Sequence, residues 1–131
     1  MTLPSYSIVE LFREQVSENP EETALVFYKT KLSYLELENY TNQFAHYILA
    51  NIDRENDHII GIKLSSKLQV ICSIIAILKI GSAYLPIDIT YPEERISYME
   101  QNSNCSFVID DNFFKEFEAK KESFLNMINR E

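Results

Sequence analysis

Apolar residues recur in two rhythms along this chain, one of three to four residues and one of nearly continuous short runs. Ile8, Leu11, Phe12 and Val16 share a helical face. Ser7 and Glu10 stand before them at the spacing of a capping box, and Asn19-Pro20 ends the segment. Thr23 to Tyr28 (TALVFY) reads as a strand, Lys29-Thr30-Lys31 as a tight turn and Lys31-Leu32 as a short return. Ser33 and Glu36 repeat the capping-box spacing ahead of a second helix, whose buried face is Leu37, Tyr40, Phe44 and Ile48. Asp53 to Asp57 is a charged loop.

His58 to Leu64 (HIIGIKL) is a near-continuous apolar strand, as expected where both faces of a sheet are covered. Lys67 to Ile80 is apolar on most sides, which predicts a deeply buried helix. Gly81 follows where a left-handed C-cap would fall, and Ala83-Tyr84-Leu85 forms a short strand that stops at Pro86. Tyr91-Pro92-Glu93-Glu94 starts the next helix, with proline at its first position and acids in its first turn. Ile96 and Met99 face inward, and Asn102-Ser103-Asn104 ends it. Ser106 to Asp110 (SFVID) is another strand, and Phe113, Phe114, Phe117, Phe124, Leu125 and Ile128 mark a final amphipathic helix, with a break near Lys120-Lys121.

Strand–helix–strand–helix–strand from His58 to Asp110 makes two consecutive βαβ units. The expected fold is therefore α/β: a layered, mostly parallel sheet with flanking helices and right-handed crossovers. With 131 residues the chain forms one domain at most, able to bury roughly two-thirds of its unfolded surface. No repeat, low-complexity tract or linker divides it.

Charge narrows the function classes. A net charge of −8 repels phosphate backbones and anionic lipid, which argues against nucleic-acid and membrane-surface partners. The N-terminus lacks the pattern of a signal peptide. The longest apolar run, Val70 to Leu78, is interrupted by Ser73 and far shorter than the roughly 20 residues that span a bilayer. Cys72 and Cys105 are too few and too far apart for a disulfide framework or zinc site. Cys72, inside an apolar helix, reads as a small buried thiol. These features together point to a cytoplasmic protein. Only two glycines occur, Gly61 and Gly81, whereas a phosphate-cradling loop needs several close together so that consecutive N–H groups converge on an anion.

The segment Leu78 to Asp88, LKIGSAYLPID, closely resembles a core motif of the amino-acid-activating adenylation domains of nonribosomal peptide synthetases. Leu32-Ser33-Tyr34-Leu35-Glu36-Leu37 resembles the first core motif of the same family, and Asn42, Ala45 and Leu49 continue the helix that follows it there. SIVELFREQVSENPEETALVF is similar to the family's opening helix and strand, and YPEERISYMEQNS to the segment after the second motif. The likeness runs in order from about Ser7 to Asp110, within a single incomplete adenylation-type domain over 1–131. Residues 111–131 form a divergent aromatic C-terminal helix.

The resemblance implies a partial N-terminal subdomain of the adenylate-forming fold. In a complete enzyme it implies adenylation of an amino acid with ATP and Mg²⁺, followed by transfer to a carrier-protein thiol. In family members the phosphate loop, amino-acid pocket, metal- and ribose-holding acids and catalytic lysine lie later in sequence, and none has a counterpart here. No catalytic, cofactor-binding or metal residue is therefore assigned, and the chain alone is expected to bind no cofactor. Acyl-adenylate formation needs cations and N–H groups aimed at the α-phosphate, against which stand a single Gly-capped turn and an excess of acids.

Three readings follow: a truncated or excised N-terminal fragment, a free-standing non-catalytic assembly module, or one half of a split adenylating enzyme. A fragment is expected to expose apolar surface and to self-associate through an uncovered sheet edge or helix face, or to pair with a complementary adenylation-domain fragment.

Several residues invite other readings. Asp88, Asp110 and Asp111 follow strands, at the edge where open α/β sheets place ligands. A phospho-acceptor aspartate of the receiver kind would need an acidic pair after the first strand, where Lys29-Thr30-Lys31 stands instead. These acids read as strand-end solubilising or capping groups. His46 lies just off the apolar face of its helix and His58 opens a strand, neither with a partner at ligand spacing. Glu21-Glu22 and Glu93-Glu94 read as solvated or helix-start charges.

Overall fold

Local hydrogen-bond chemistry sets the element boundaries in the computed structural model, which describes residues 8–27, 29–53, 59–102, 105 and 107–128. Helix α1 spans Ile8–Glu18, followed by β1 (Thr23–Phe27), β2 (Thr30–Ser33), α2 (Tyr34–Leu49), β3 (Ile59–Lys63) and α3 (Lys67–Lys79). After these come β4 (Ala83–Pro86), α4 (Glu93–Asn102), β5 (Phe107–Asp110) and α5 (Asp111–Ile128). The expected Ser7 cap, Tyr28, residues 54–57, His58, Ser103, Asn104, Ser106 and the side chains of Phe124, Leu125 and Ile128 lie outside the described residues.

Strands β1 and β2 form an antiparallel hairpin in which Phe27 pairs with Thr30. Thr30 thus belongs to the return strand and not to the turn, and the return is four residues long. The other three strands form one parallel sheet in the order β4-β3-β5. Two βαβ units define parallel strands but not on which side each new strand adds. Here the second crossover passes over β3, so the first strand of the sheet lies at its centre.

Side chains alternate across this sheet. Ile60, Ile62 and Ile109 point into the main core with Phe44 and Ile48 of α2, Cys72, Ala76 and Ile77 of α3, and Phe114 and Phe117 of α5. Burying each large side chain of this set stabilises the fold by roughly 1.5–3 kcal/mol. Gly61 faces the other way: a Cβ there would sit 2.9 Å from Cys105 Sγ and 3.1 Å from Ile87 Cδ1. Helix α4 covers this second face through buried Ile96, with Glu100 3.9 Å from Lys63.

Three further expectations change. The inward seam of α1 is Val9, Phe12 and Val16, while Ile8 and Leu11 are 66% and 50% exposed. Phe12 keeps its place because its ring meets Tyr34 at 6.2 Å. Helix α3 is not deeply buried all round. Cys72, Ser73, Ala76 and Ile77 are buried, but Ile71 is 37% exposed and Ile74, Ile75 and Leu78 are half-buried. Its apolar composition exceeds the cover that the described residues provide. Helix α5 runs unbroken through Lys120-Lys121, because lysine is a good helix former.

Candidate functional site

The two stretches that carry the family resemblance are engaged in building the scaffold. Helix α2 starts on a reciprocal cap: Glu36 N–H donates to Ser33 Oγ at 3.1 Å, and Ser33 N–H donates to Glu36 Oε1 at 3.0 Å. Tyr34 N–H donates to Glu22 O and Leu35 N–H to Pro20 O, each at 3.0 Å, which fixes the hairpin against the end of α1.

At the second stretch, Gly81 has φ +80°, a region that L side chains resist. Gly81 N–H donates to Leu78 O at 3.1 Å and Ser82 N–H to Ile77 O at 3.2 Å, the paired bonds of a Schellman ending. The chain then reverses directly into β4, where Tyr84 pairs with Ile60 and Pro86 with Ile62. Asp88 closes the stretch by accepting from Thr90 N–H at 2.9 Å and Thr90 Oγ1 at 2.7 Å, and these bonds hold its carboxyl below the usual carboxylate range.

Lys79, the one charged residue between Val70 and Ile80, is the most constrained polar side chain near this joint. Its side chain is only 3% exposed. The ammonium donates to Thr41 Oγ1 at 2.7 Å, Asn42 Oδ1 at 2.8 Å and Glu38 O at 3.3 Å, and pairs with the Glu38 carboxylate. It also lies 5.5 Å from the centre of the Phe12 ring. Burial lowers its pKa from the ordinary lysine value, and the Glu38 bond opposes that shift. This cluster ties α3 to α2. Sequence spacing could not reveal it, because Glu38 and Lys79 lie 41 residues apart. The available signal was a lysine inside an otherwise apolar segment.

At the carboxyl end of the sheet, the three aspartates meet different partners. Asp110 Oδ1 accepts from Phe113 N–H at 2.8 Å and caps α5. Asp111 accepts from Ser65 N–H and Ser65 Oγ, all at 3.2 Å, which ties the ends of β3 and β5 together. The Asp88 carboxylate turns to Thr90, and among the described residues the three aspartates do not converge into one acidic cluster. Beside this edge, a groove of about 430 Å³ is lined by Lys63, Tyr91, Glu93, Ser97 and Glu100. Its carboxylates outnumber its cation, the wrong sign for a phosphate. Arg95 stacks 4.5 Å over Tyr91.

A second cavity of about 260 Å³ lies between the hairpin, α2, α3 and α5, with Leu32, Tyr40, Leu68, Cys72 and Glu118 in its wall. Tyr40 Oη donates to Glu118 at 2.5 Å across 78 residues of sequence. Burial, followed by the Glu118 bond and charge, pushes the Tyr40 pKa far above the ordinary phenol value. Cys72 is buried and Cys105 half-buried, with Cys105 Sγ donating to Phe107 O at 3.2 Å. His46 is exposed on α2. Among the described residues, no group of three or more His, Cys, Asp or Glu converges as a metal site, and no helix is long and apolar enough to cross a membrane.

Residues 12–128 match the AMP-binding enzyme family. Tyrocidine synthase 1 of Brevibacillus parabrevis is 40% identical over 103 residues, covering 79% of this chain and 9% of that protein. Bacitracin synthase 3 of Bacillus licheniformis is 41% identical over 108 residues, covering 82% of this chain and 2% of that protein. The chain thus spans under a tenth of the length of these relatives. In fold it is similar to the Klebsiella oxytoca NpsA N-terminal subdomain solved in complex with 3-hydroxybenzoyl-AMSN. The TM-score is 0.74 at 23% identity, over 85% of this chain and 29% of that one. On the family match and these relatives, the chain belongs to the AMP-binding enzyme family, as the N-terminal part of an adenylation domain of the nonribosomal peptide synthetase kind.

Proposed function

We propose that this chain is the N-terminal scaffold of an amino-acid-activating adenylation domain and does not itself carry out the ATP-dependent chemistry. One observation carries the reading: the residues of both family-like stretches are engaged in holding the fold. Ser33 and Glu36 cap α2, Gly81 and Ser82 end α3, Lys79 is surrounded by α2 acceptors and Asp88 by Thr90. The residues present do not fit a magnesium-bound triphosphate. Gly61 is packed inside a strand against Cys105 and Ile87, and Gly81 lies at a helix C-terminus, where carbonyls and negative potential face an incoming anion. In a complete enzyme, ATP, Mg²⁺ and the amino acid would be gripped by groups from other sequence.

A second reading, a free-standing assembly module, is favoured by α5. Phe114 and Phe117 are buried, with ring centroids 4.5 Å and 4.8 Å from Phe44, so the aromatic helix completes the core of these residues. Amino-acid-dependent ATP–pyrophosphate exchange separates the readings. The chain alone is expected to be silent. Exchange should appear when it is coexpressed with the tyrocidine synthase 1 adenylation segment lacking the region that matches this chain. Exchange by the chain alone overturns the proposal, and silence of the pair favours the module.

A further inference from the structure

The cavity between the hairpin, α2, α3 and α5 combines an apolar wall with a carboxylate that has open acceptor positions. Leu32 of β2, Leu68 of α3 and the buried Cys72 supply the wall. Tyr40 and Glu118 line it from α2 and α5, and Tyr40 Oη donates to Glu118 Oε1 at 2.5 Å. An ionised carboxylate can accept about four hydrogen bonds. Among the described residues, Tyr40 supplies the one donor that reaches this carboxylate. The Tyr40 proton is committed to Glu118, so the phenol oxygen can only accept further bonds. The pair thus offers acceptors to the cavity and no donor.

The group that complements such a pair is a donor with positive charge. A protonated primary amine brings three N–H donors and, with a pKa near about 10, is charged at neutral pH. A carboxylate or phosphate would meet Glu118 with like charge. Water could satisfy the open oxygen, but it would leave the surface of Leu32, Leu68 and Cys72 wetted. Ser66 and Gln69 line the cavity from the start of α3, where the helix dipole is positive. An ammonium is repelled there and attracted to Glu118, so the two helices orient the ligand along the apolar wall.

Size fixes the rest of the ligand. The volume is about 260 Å³. An apolar cavity of about 150 Å³ holds benzene, and sites for drug-sized molecules begin near about 300 Å³. The space therefore suits an amine of about eight to ten non-hydrogen atoms, with a phenyl ring or short alkyl chain as its body. Thr30 also lines the cavity and is exposed, so the space communicates with solvent.

We infer that this cavity is a binding site for a small amphipathic amine, with its ammonium on Glu118 and its apolar body against Leu32, Leu68 and Cys72. Such a site exists whether or not the chain serves as a scaffold, because all of its groups belong to residues 30–118. An α-amino acid is a poor occupant, since its carboxylate sits beside the ammonium and would be carried close to Glu118.

Titration of the whole chain followed by amide-resolved NMR tests this with phenethylamine, phenethyl alcohol, phenylacetate and phenylalanine. The amine should bind with a Kd of about 1 mM or below and move the amides of Leu32, Leu68 and Glu118. The alcohol should bind about tenfold or more weakly, and the two carboxylates should not bind at about 10 mM. E118Q keeps an acceptor for Tyr40 and removes one charge. It should weaken the amine about tenfold or more and leave the alcohol unchanged. General attraction of the amine to a chain of net charge −8 would survive that change almost whole. L68F fills part of the space and should abolish binding of amine and alcohol alike, while far-UV circular dichroism stays native.

Equal affinities for amine and alcohol, amine binding indifferent to E118Q, shifts confined to the Lys63 groove, or no amine binding at all each overturns the inference. If either variant fails to fold, the order of the four probes on the wild-type chain decides alone.

Discussion

Breaking the Lys79 cluster from either side should have unequal effects. E38A removes the carboxylate but leaves the ammonium in a site where the side chain is 3% exposed, with only the neutral acceptors at Thr41, Asn42 and the Glu38 carbonyl. Removing one partner of a buried pair costs about 3–5 kcal/mol. K79M keeps the volume of the side chain and leaves Glu38, which at 14% exposure lies nearer to water and can turn toward it. That change should cost about 1–2 kcal/mol. In the double variant E38A/K79M both charges are gone and no buried ion is left unpaired, so stability should lie within about 1 kcal/mol of wild type.

The singles therefore sum to about 5 kcal/mol while the double costs about 1, a coupling of roughly 3 kcal/mol or more. Against a total stability of about 5–15 kcal/mol, the E38A effect is large. Urea unfolding at pH 7 followed by far-UV circular dichroism measures all four proteins, with midpoints compared at constant slope. If E38A costs under about 1 kcal/mol, or the two singles add to give the double, then Lys79 is solvated and does not lock α3 to α2.

Other consequences are open to the same assay. F114A should cost about 3–5 kcal/mol, because Phe114 is fully buried against Phe44 and Tyr40; a loss under about 1 kcal/mol means that α5 is not part of the core. G81A should cost about 1–2 kcal/mol from backbone strain alone, since no atom lies within 4 Å of the added methyl; a neutral change refutes the left-handed ending of α3. Tyr40 titrates above its unfolded value of about 10. Its contribution is intact below pH 10 and is lost as pH rises further, by up to about 1.4 kcal/mol per pH unit. Y40F should flatten that alkaline slope, and an unchanged slope refutes the buried Tyr40–Glu118 pair.

Legibility in the sequence followed the range of the interactions. The Ser33–Glu36 cap and the Gly81 ending are formed by residues within a few positions of one another, and both were readable as spacing. The apolar run at β3 announced a strand covered on both faces, and Ile60, Gly61 and Ile62 are all buried. The apolar content of α3 was also readable, but its burial was not, because burial depends on what packs against Ile71 and Ile74 and not on their hydrophobicity. The α1 seam slipped by one residue, from Ile8 to Val9, because a helical period tolerates either choice until the neighbouring helix fixes the rotation. The order β4-β3-β5, the Lys79 cluster, the Ser65–Asp111 link and the Tyr40–Glu118 bond each join residues with no local relation. Only the folded chain brings them together.

Titration calorimetry of ATP with Mg²⁺ into the isolated chain tests the scaffold account most directly. It predicts heats no larger than dilution at millimolar nucleotide. A saturable, magnesium-dependent binding isotherm would contradict it.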